Sequence, residues 1–393
     1  MLILLNFAKG SLQDELDGFF KALGGDDVAS RFVTAAALCK ARKKLSHLVF
    51  IHLTRFLTGF LDKRGYMRTW RNRRLFAIDG TTLTLANTLE LIEAFGGMMS
   101  SGGFRVKARA SLLYDVINRV TYDFQVMAYE VAERFGLFAH IPALPKNSVI
   151  LLDQGYIDFE VLSFIHQNGH DFCLRVNDKI NIVKALNKVK KRDGVYFWEP
   201  TKEAVVKCNL HNISIEPLKV RVIRIDSKKY DKPLYLVTTL LSTELYPKRE
   251  FCKLYHKRWL VEEALKLKKV WGELENFTGF SEEIILQDIH AKVFSQNLVE
   301  VFAGCHHKKI EAKSKRCKND YKVNAKAALS KSKDVIFACI MVYDNFKELL
   351  RKLIDSVFND LLPVRPGRSF PREKKGKNEK RKFGFFMRYK RAK

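Results

Sequence analysis

Three acidic residues, Asp79, Asp153 and Glu262, stand in surroundings suited to holding metal ions. Asp79 follows the apolar run Leu75-Phe76-Ala77-Ile78 and precedes Gly80; Asp153 follows Val149-Ile150-Leu151-Leu152. Short apolar runs of this kind read as strands. A carboxylate at a strand's C-terminal end emerges where ligands collect in α/β folds. A strand-ending aspartate is also an ordinary turn former, so neither is decisive alone. Glu262 has more specific company. Tyr255, Arg258, Glu262 and Lys269 follow one another at spacings of three, four and seven. At about 100° per residue they fall within an arc of roughly 60° on one helix, and Lys266 shares that face. A solvated face with i,i+4 ion pairs explains Arg258, Glu262 and Lys266 well, but it does not explain the two aspartates.

Phosphodiester cleavage gives the combination a reason. In-line displacement is served by two metal ions about 3.5–4 Å apart, one activating the attacking oxygen and one stabilising the leaving oxygen. Mg²⁺ or Mn²⁺ takes oxygen ligands, and Mg²⁺ keeps several waters, so three carboxylates suffice. Arg258 and Lys269 then suit DNA phosphates, the first as a fork and the second as a point charge.

The segment Tyr255-His256-Lys257-Arg258-Trp259-Leu260-Val261-Glu262, continuing to Lys269, resembles the Y-(2)-R-(3)-E-(6)-K pattern of bacterial DDE transposases of the "insertion sequence 4" group. Ala77-Ile78-Asp79-Gly80-Thr81-Thr82, Leu151-Leu152-Asp153-Gln154-Gly155-Tyr156 and Ser281–Leu298 look like the same family, so the similarity runs from about residue 30 to the basic tail. The resemblance implies a ribonuclease-H-like core interrupted by a β-rich insertion, for which the 109 residues from Asp153 to Glu262 leave room. It implies that Asp79, Asp153 and Glu262 bind two Mg²⁺ or Mn²⁺ ions. It also implies that Tyr255, Arg258 and Lys269 contact terminal phosphates, with Lys266 on the same face. Tyr235 matches the aromatic on which relatives stack a flipped base, with a core or sheet-face tyrosine as the equal alternative. Gln154 replaces the arginine often found after the second aspartate. The implied activity is metal-dependent strand cleavage at transposon ends and strand transfer into target DNA. Double-stranded DNA is the implied partner, engaged by a homodimer in a synaptic complex. Another ribonuclease-H-like nuclease, or a non-catalytic DNA-binding derivative of a transposase, are the alternatives.

The elements that must position these residues read as a mixed α/β chain. Helical spacing over 1–70, with Leu12, Leu16, Phe19, Phe20 and Leu23 on one stripe and the basic run Lys40–Lys44, predicts a helical domain with a possible DNA contact. The first part of the catalytic core follows over 71–176. Its strand-like runs are Leu75–Ile78, Ala110–Tyr114, Val116–Met127, Val149–Leu152 and Phe172–Val176, with a helix at Phe159–Gln167. A β-rich insertion is expected over 177–250, with a Lys-rich helix near 180–192 and strand-like Val205–Leu210, Leu218–Ile225 and Leu234–Leu241. The second, helical part of the core spans 251–350, and a basic tail 351–393.

Seventy Lys and Arg against 43 Asp and Glu leave a formal charge of +27, which favours a polyanionic partner. Pro363–Lys393 carries 13 Lys/Arg against two Glu, so most of the excess lies in the body. The longest apolar candidates, Met1–Leu5 and Val335–Tyr343, fall far short of the roughly 20 residues a membrane span needs. Met1–Ala8 lacks the features of a secretory signal. Seven scattered cysteines without a CxxC pair suit a reduced, cytoplasmic protein, and Cys305-His306-His307 reads as structural or incidental.

Overall fold

The computed structural model describes residues 1–5, 11–24, 28–226, 233–325, 327–329, 331–332 and 345–365. The glycine break at 25–27, the Val335–Tyr343 run and positions 366–393 of the basic tail lie outside the described residues. In chain order come α1 (Leu2–Leu5), α2 (Leu12–Gly24), α3 (Ala35–Arg42) and α4 (Leu48–Lys63). Then follow β1 (Leu75–Thr84), α5 (Leu89–Phe95), β2 (Gly97–Ser100), β3 (Gly103–Asp115), β4 (Val120–Ala128) and α6 (Glu133–His140). The next are β5 (Val149–Leu152), α7 (Phe159–Gln167), β6 (Asp171–Val176), α8 (Asn181–Lys188), β7 (Asp193–Trp198) and α9 (Lys202–Leu210). The remainder comprises β8 (Leu218–Ile225), β9 (Leu234–Thr238), α10 (Lys248–His256), α11 (Trp259–Lys266) and a π-turn (Leu267–Trp271). Last come α12 (Glu282–Gly304), α13 (His307–Arg316), β10 (Tyr321–Val323), α14 (Phe346–Asn359) and β11 (Leu361–Pro363). Two compact units result: Ile51–Lys266, and Met1–Phe50 with Leu267–Lys393.

The unit Ile51–Lys266 is built on one nine-stranded sheet. β3 lies antiparallel to both β1 and β4, while β5 runs parallel to β1 and β6 parallel to β5. This order, β4-β3-β1-β5-β6, is that of a ribonuclease-H-like core in a mixed α/β fold. Beyond β6 the same sheet continues antiparallel through β9, β8 and β7, and β2 pairs with the start of β3. The uninterrupted Val-Ile-Leu-Leu of β5 is fully buried, as a central parallel strand covered on both faces must be. Phe76, Ile78, Ile150 and Leu152 pack with Leu137 of α6 and Val161, Leu162 and Ile165 of α7 in one core.

Two sequence expectations change here. Val205–Leu210 is not a strand but the body of α9: Thr201 caps the helix by accepting from the Ala204 amide, and Ala204 and Cys208 bury one face at i,i+4 spacing. β1 does not stop at Asp79-Gly80. It runs on to Thr84 because the long β3 supplies a ladder partner for each residue from Phe76 to Thr84, with Asp79 opposite Leu112 and Gly80 opposite Ser111. Asp79 is therefore a mid-strand residue.

A buried polar relay fixes α6 to the sheet. His140 at the end of α6 donates from Nδ1 to Asp123 of β4 at 2.8 Å, and its Nε2 meets Ser111 Oγ of β3 at 3.0 Å. Burial alone would push the Asp123 carboxyl up, but the His140 hydrogen bond and charge outweigh it and hold the carboxyl below its ordinary value. Gly136 allows the close approach, since a Cβ there would lie 2.6 Å from Ser111 Cβ. Ser111→Ala should cost about 1 kcal/mol, because the buried His140 nitrogen loses its partner. Urea unfolding should show a lower midpoint with an unaltered slope, and an unmoved midpoint would remove the serine from the relay.

In the other unit, α12 carries a buried polar stripe. Arg42 donates to Gln287 at 3.0 Å and to Asp288 at 2.8 Å, while Asp288 also accepts from the Thr278 amide at 2.6 Å. The Gln287-Asp288-Ile289 segment thus secures α3 and the Thr278 loop to α12. Val299, Leu353 and Val357 join α12 to α14 in a small apolar core.

Candidate active site

Asp79, Asp153 and Glu262 come from three elements of the Ile51–Lys266 unit: the middle of β1, the residue after β5, and the first turn of α11. Asp79 Oδ1 accepts from the Gly80 amide at 2.9 Å. Asp153 caps a short 3₁₀ turn, Gln154–Tyr156, by accepting from the Gln154 amide at 2.5 Å. The end of β5 is anchored by Tyr255 of α10, whose hydroxyl donates to the Leu152 carbonyl at 3.2 Å.

Arg258 links the acids. Its Nη2 donates to Glu262 at 2.5 Å, and its Nη1 lies 4.0 Å from Asp79 Oδ2. Burial opposes the guanidinium charge, but the Glu262 hydrogen bond and the negative charges at Asp153 and Glu262 outweigh it, so its pKa is raised. Arg258 is only 3% exposed, yet its Nε and Nη1 have no hydrogen-bond acceptor. A buried donor left without an acceptor is costly, which marks a place where an anionic ligand atom would be welcome.

Burial, then repulsion from Glu133 and Glu262, push the Asp79 carboxyl up to about 6, against the opposing Gly80 hydrogen bond and Arg258 charge. Glu133 was not foreseen. It opens α6, and its carboxylate accepts from the Tyr156 hydroxyl at 3.1 Å. Burial and the surrounding charges of Glu133, Asp79 and Asp153 hold the Tyr156 hydroxyl well above the usual phenol range. The only sequence trace of Glu133 is an acid in the first turn of a short helix, which is what any helix favours.

Residues 70–298 match the family described as Transposase DDE domain. The chain belongs to that family. Comparison of this DDE-domain chain with curated proteins gives no match. Among solved structures it is similar to a chain of the piggyBac transposase synaptic complex with hairpin DNA, at 10% identity and a TM-score of 0.38, covering 75% of this chain and 59% of that one. The DDE-domain chain thus spans less than two thirds of that transposase chain.

The other residues singled out in the sequence fall in different places. The helix expected to carry Tyr255 through Lys269 is not continuous. Lys257 and Arg258 donate to carbonyls three residues back, closing α10 with a tight turn before α11, and the π-turn begins at Leu267. The Arg258–Glu262 pair survives because both lie within one i,i+4 step. Lys266 is exposed at the end of α11. Lys269 falls in the other unit, where it lies 3.6 Å from Glu275. Tyr255 is buried, so its hydroxyl serves the β5 carbonyl rather than facing outward. Tyr235 is 7% exposed on β9 and donates to Asn187 of α8 at 3.1 Å, a sheet-core position rather than an open stacking platform.

The donor set fits a hard divalent cation in kind, being all carboxylate oxygen and carrying mutual repulsion that raises Asp79. Among the described residues no group of three or more His, Cys, Asp or Glu is gathered closely enough to hold a metal ion. The Arg258 guanidinium provides the positive charge between Glu262 and Asp79.

Proposed function

We propose that this chain is a transposase of the insertion-sequence-4 group that cleaves DNA at transposon ends and joins the freed 3′ end to target DNA. The observation that carries the reading is the buried Arg258, with two unsatisfied donor nitrogens, set between acids from separate elements in the family's motif pattern. Asp79, Asp153 and Glu262 would hold two Mg²⁺ or Mn²⁺ ions. Bound there, the ions would supply activation of the attacking oxygen and stabilisation of the leaving one. Arg258 Nε and Nη1 would donate to a phosphate oxygen, their missing acceptor, and orient it beside Asp79. Tyr255 would keep Asp153 in place through the Leu152 carbonyl. Lys266, exposed one turn after Glu262, would add a point charge for the DNA backbone, and Lys269 a second. The rest of the +27 charge would hold the duplex. Processing two ends together calls for a homodimer, and the work would be done in the cytoplasm. Among the described residues no helix is long and apolar enough to cross a membrane.

The test uses the full chain and a duplex carrying any inverted repeats that flank its coding region. With Mg²⁺ or Mn²⁺ it should nick at the repeat end and join that end to a second duplex, and chelation should abolish both steps while DNA binding persists. Cleavage of any flapped DNA without joining would replace the reading with a general nuclease. Binding without cleavage would replace it with a DNA-binding derivative.

A further inference from the structure

We infer that the β2–β3 hairpin is a DNA-binding arm that enters a groove of the duplex beside the cut and presses its apolar tip against the base steps. The inference rests on the function proposed above. β1 leaves β3 at the Thr84–Lys107 pair and β4 leaves it at Ala128–Ala108, whereas β2 pairs with β3 from Val106 to Gly103. The outer part of β3 is therefore one half of a two-stranded ribbon, an element that fits DNA grooves. Its shape is set locally. A side chain at Gly97 would run into the Arg105 carbonyl, so glycine lets β2 close on β3. Ser101 and Gly102 make the two-residue turn, and Gly103 closes it with a φ of 95°. Ser100 Oγ donates to the Gly103 carbonyl at 2.9 Å and accepts from Arg105 Nε at 3.0 Å.

The two faces of the ribbon carry different chemistry. Residues 97–109 hold three cations and no acid. These cations, Arg105, Lys107 and Arg109, alternate along β3, so they share one face at intervals of about 7 Å, each half-exposed. The Lys107 ammonium and the Arg109 guanidinium lie 5.7 and 5.4 Å from the centre of the Tyr129 ring, which fixes where the charges sit. Their hydrogen bonds go to neutral groups, Lys107 to Met98 Sδ at 2.9 Å and Arg109 to the Tyr129 carbonyl at 3.2 Å. The buried Arg109 Nε has no acceptor. A preset row of cations suits phosphates. On the other face Met99 and Phe104 stand opposite each other at the tip, 71% and 37% exposed. Met and Phe are among the residues that proteins insert between base steps. Charge decides against a second copy as the occupant, since a partner with the same +27 would repel the basic face. Phe104 lies eight residues before Leu112, the partner of Asp79, a distance of about 27 Å along the strand. The tip thus lies within one DNA turn, about 34 Å, of a phosphate held at Asp79.

The experiment measures duplex binding by the full chain in chelator, where no strand is cut. The duplexes carry the repeat end, with the base analogue 2-aminopurine, which brightens when unstacked, placed stepwise through one turn on each side. Lys107→Gln with Arg109→Gln should lower the slope of log affinity against log salt by about two, each lost phosphate contact removing about 0.9. Lys107→Arg should keep the wild-type slope. Met99→Gln with Phe104→Gln should keep the slope and abolish the brightening that wild type gives within that turn. Where either double variant fails to fold, Lys107→Gln alone should lower the slope by about one, and Met99→Gln alone should cut the brightening to about half or less. No brightening with wild type, a slope unchanged by the basic pair, or brightening unchanged by the tip pair overturns the inference. The proposed function then still stands on cleavage and joining. If wild type binds no duplex, both fall. A tip variant that loses self-association with its brightening intact makes the tip a contact between copies, and that too overturns the inference.

Discussion

Glu262→Gln should lower strand cleavage and joining by at least about a thousandfold while leaving DNA binding in place. An ion held at a reacting phosphate contributes several kcal/mol to the transition state, and about 4 kcal/mol corresponds to a thousandfold in rate. The amide is a poor ligand for a hard cation, but its oxygen can still accept from Arg258 Nη2, now at 2.5 Å from the carboxylate. The fold should survive with a loss on the order of 1 kcal/mol. Binding should keep its steep salt dependence, since the lysines and arginines that release counterions are untouched. Retained cleavage at wild-type rate in this variant would remove Glu262 from the chemistry altogether.

Asp79→Asn should have an equally large effect on cleavage, with stability moving the other way. In the folded chain burial and repulsion from Glu133 and Glu262 push the Asp79 pKa from 3.8 to about 6. The folded state therefore binds more protons than the unfolded state between about pH 4 and 6. The contribution of this group to stability is most favourable below about pH 4, declines as pH rises toward 6, and stays low above it. A rise from 3.8 to about 6 corresponds to roughly 3 kcal/mol at neutral pH. In chelator at pH 7.5, Asp79→Asn should thus be more stable than wild type by an amount of that order, and the two should converge near pH 4. Added Mn²⁺ should raise the melting temperature of wild type and not of the variant. Melting curves that run parallel from pH 4 to 7.5 would show that Asp79 carries no such burden.

The elements that carry Asp153 and Glu262 were legible because their signals are local. β5 ends at Asp153 as its four-residue apolar run required, and Arg258–Glu262 is a helix spacing that survives any bend outside it. What sequence could not supply was the reason for Gly80. Next to an aspartate it reads as a turn, yet β3 extends far enough to keep the strand going, and the missing side chain makes room for Glu133. That pairing joins residues 53 apart through α6, so no local pattern contains it. What the hydroxyls of Tyr235 and Tyr255 touch was out of reach for a related cause: an aromatic ring at a sheet or helix seam is buried for packing first, and its hydroxyl then takes whichever neighbour is in reach. Val205–Leu210 shows the limit of composition alone, since Ala204 and Cys208 reveal their helical spacing only once the Thr201 cap is known.

The π-turn at Leu267–Trp271 bears on how this chain should be aligned with others. Gly272 donates to the carbonyl of Leu267, five residues back, where an α-helix would reach back four. One deletion in this stretch could be absorbed by tightening to α geometry, with the ladder still closed. The six residues separating the motif glutamate from its lysine are accordingly a count of peptide units and not a ruler.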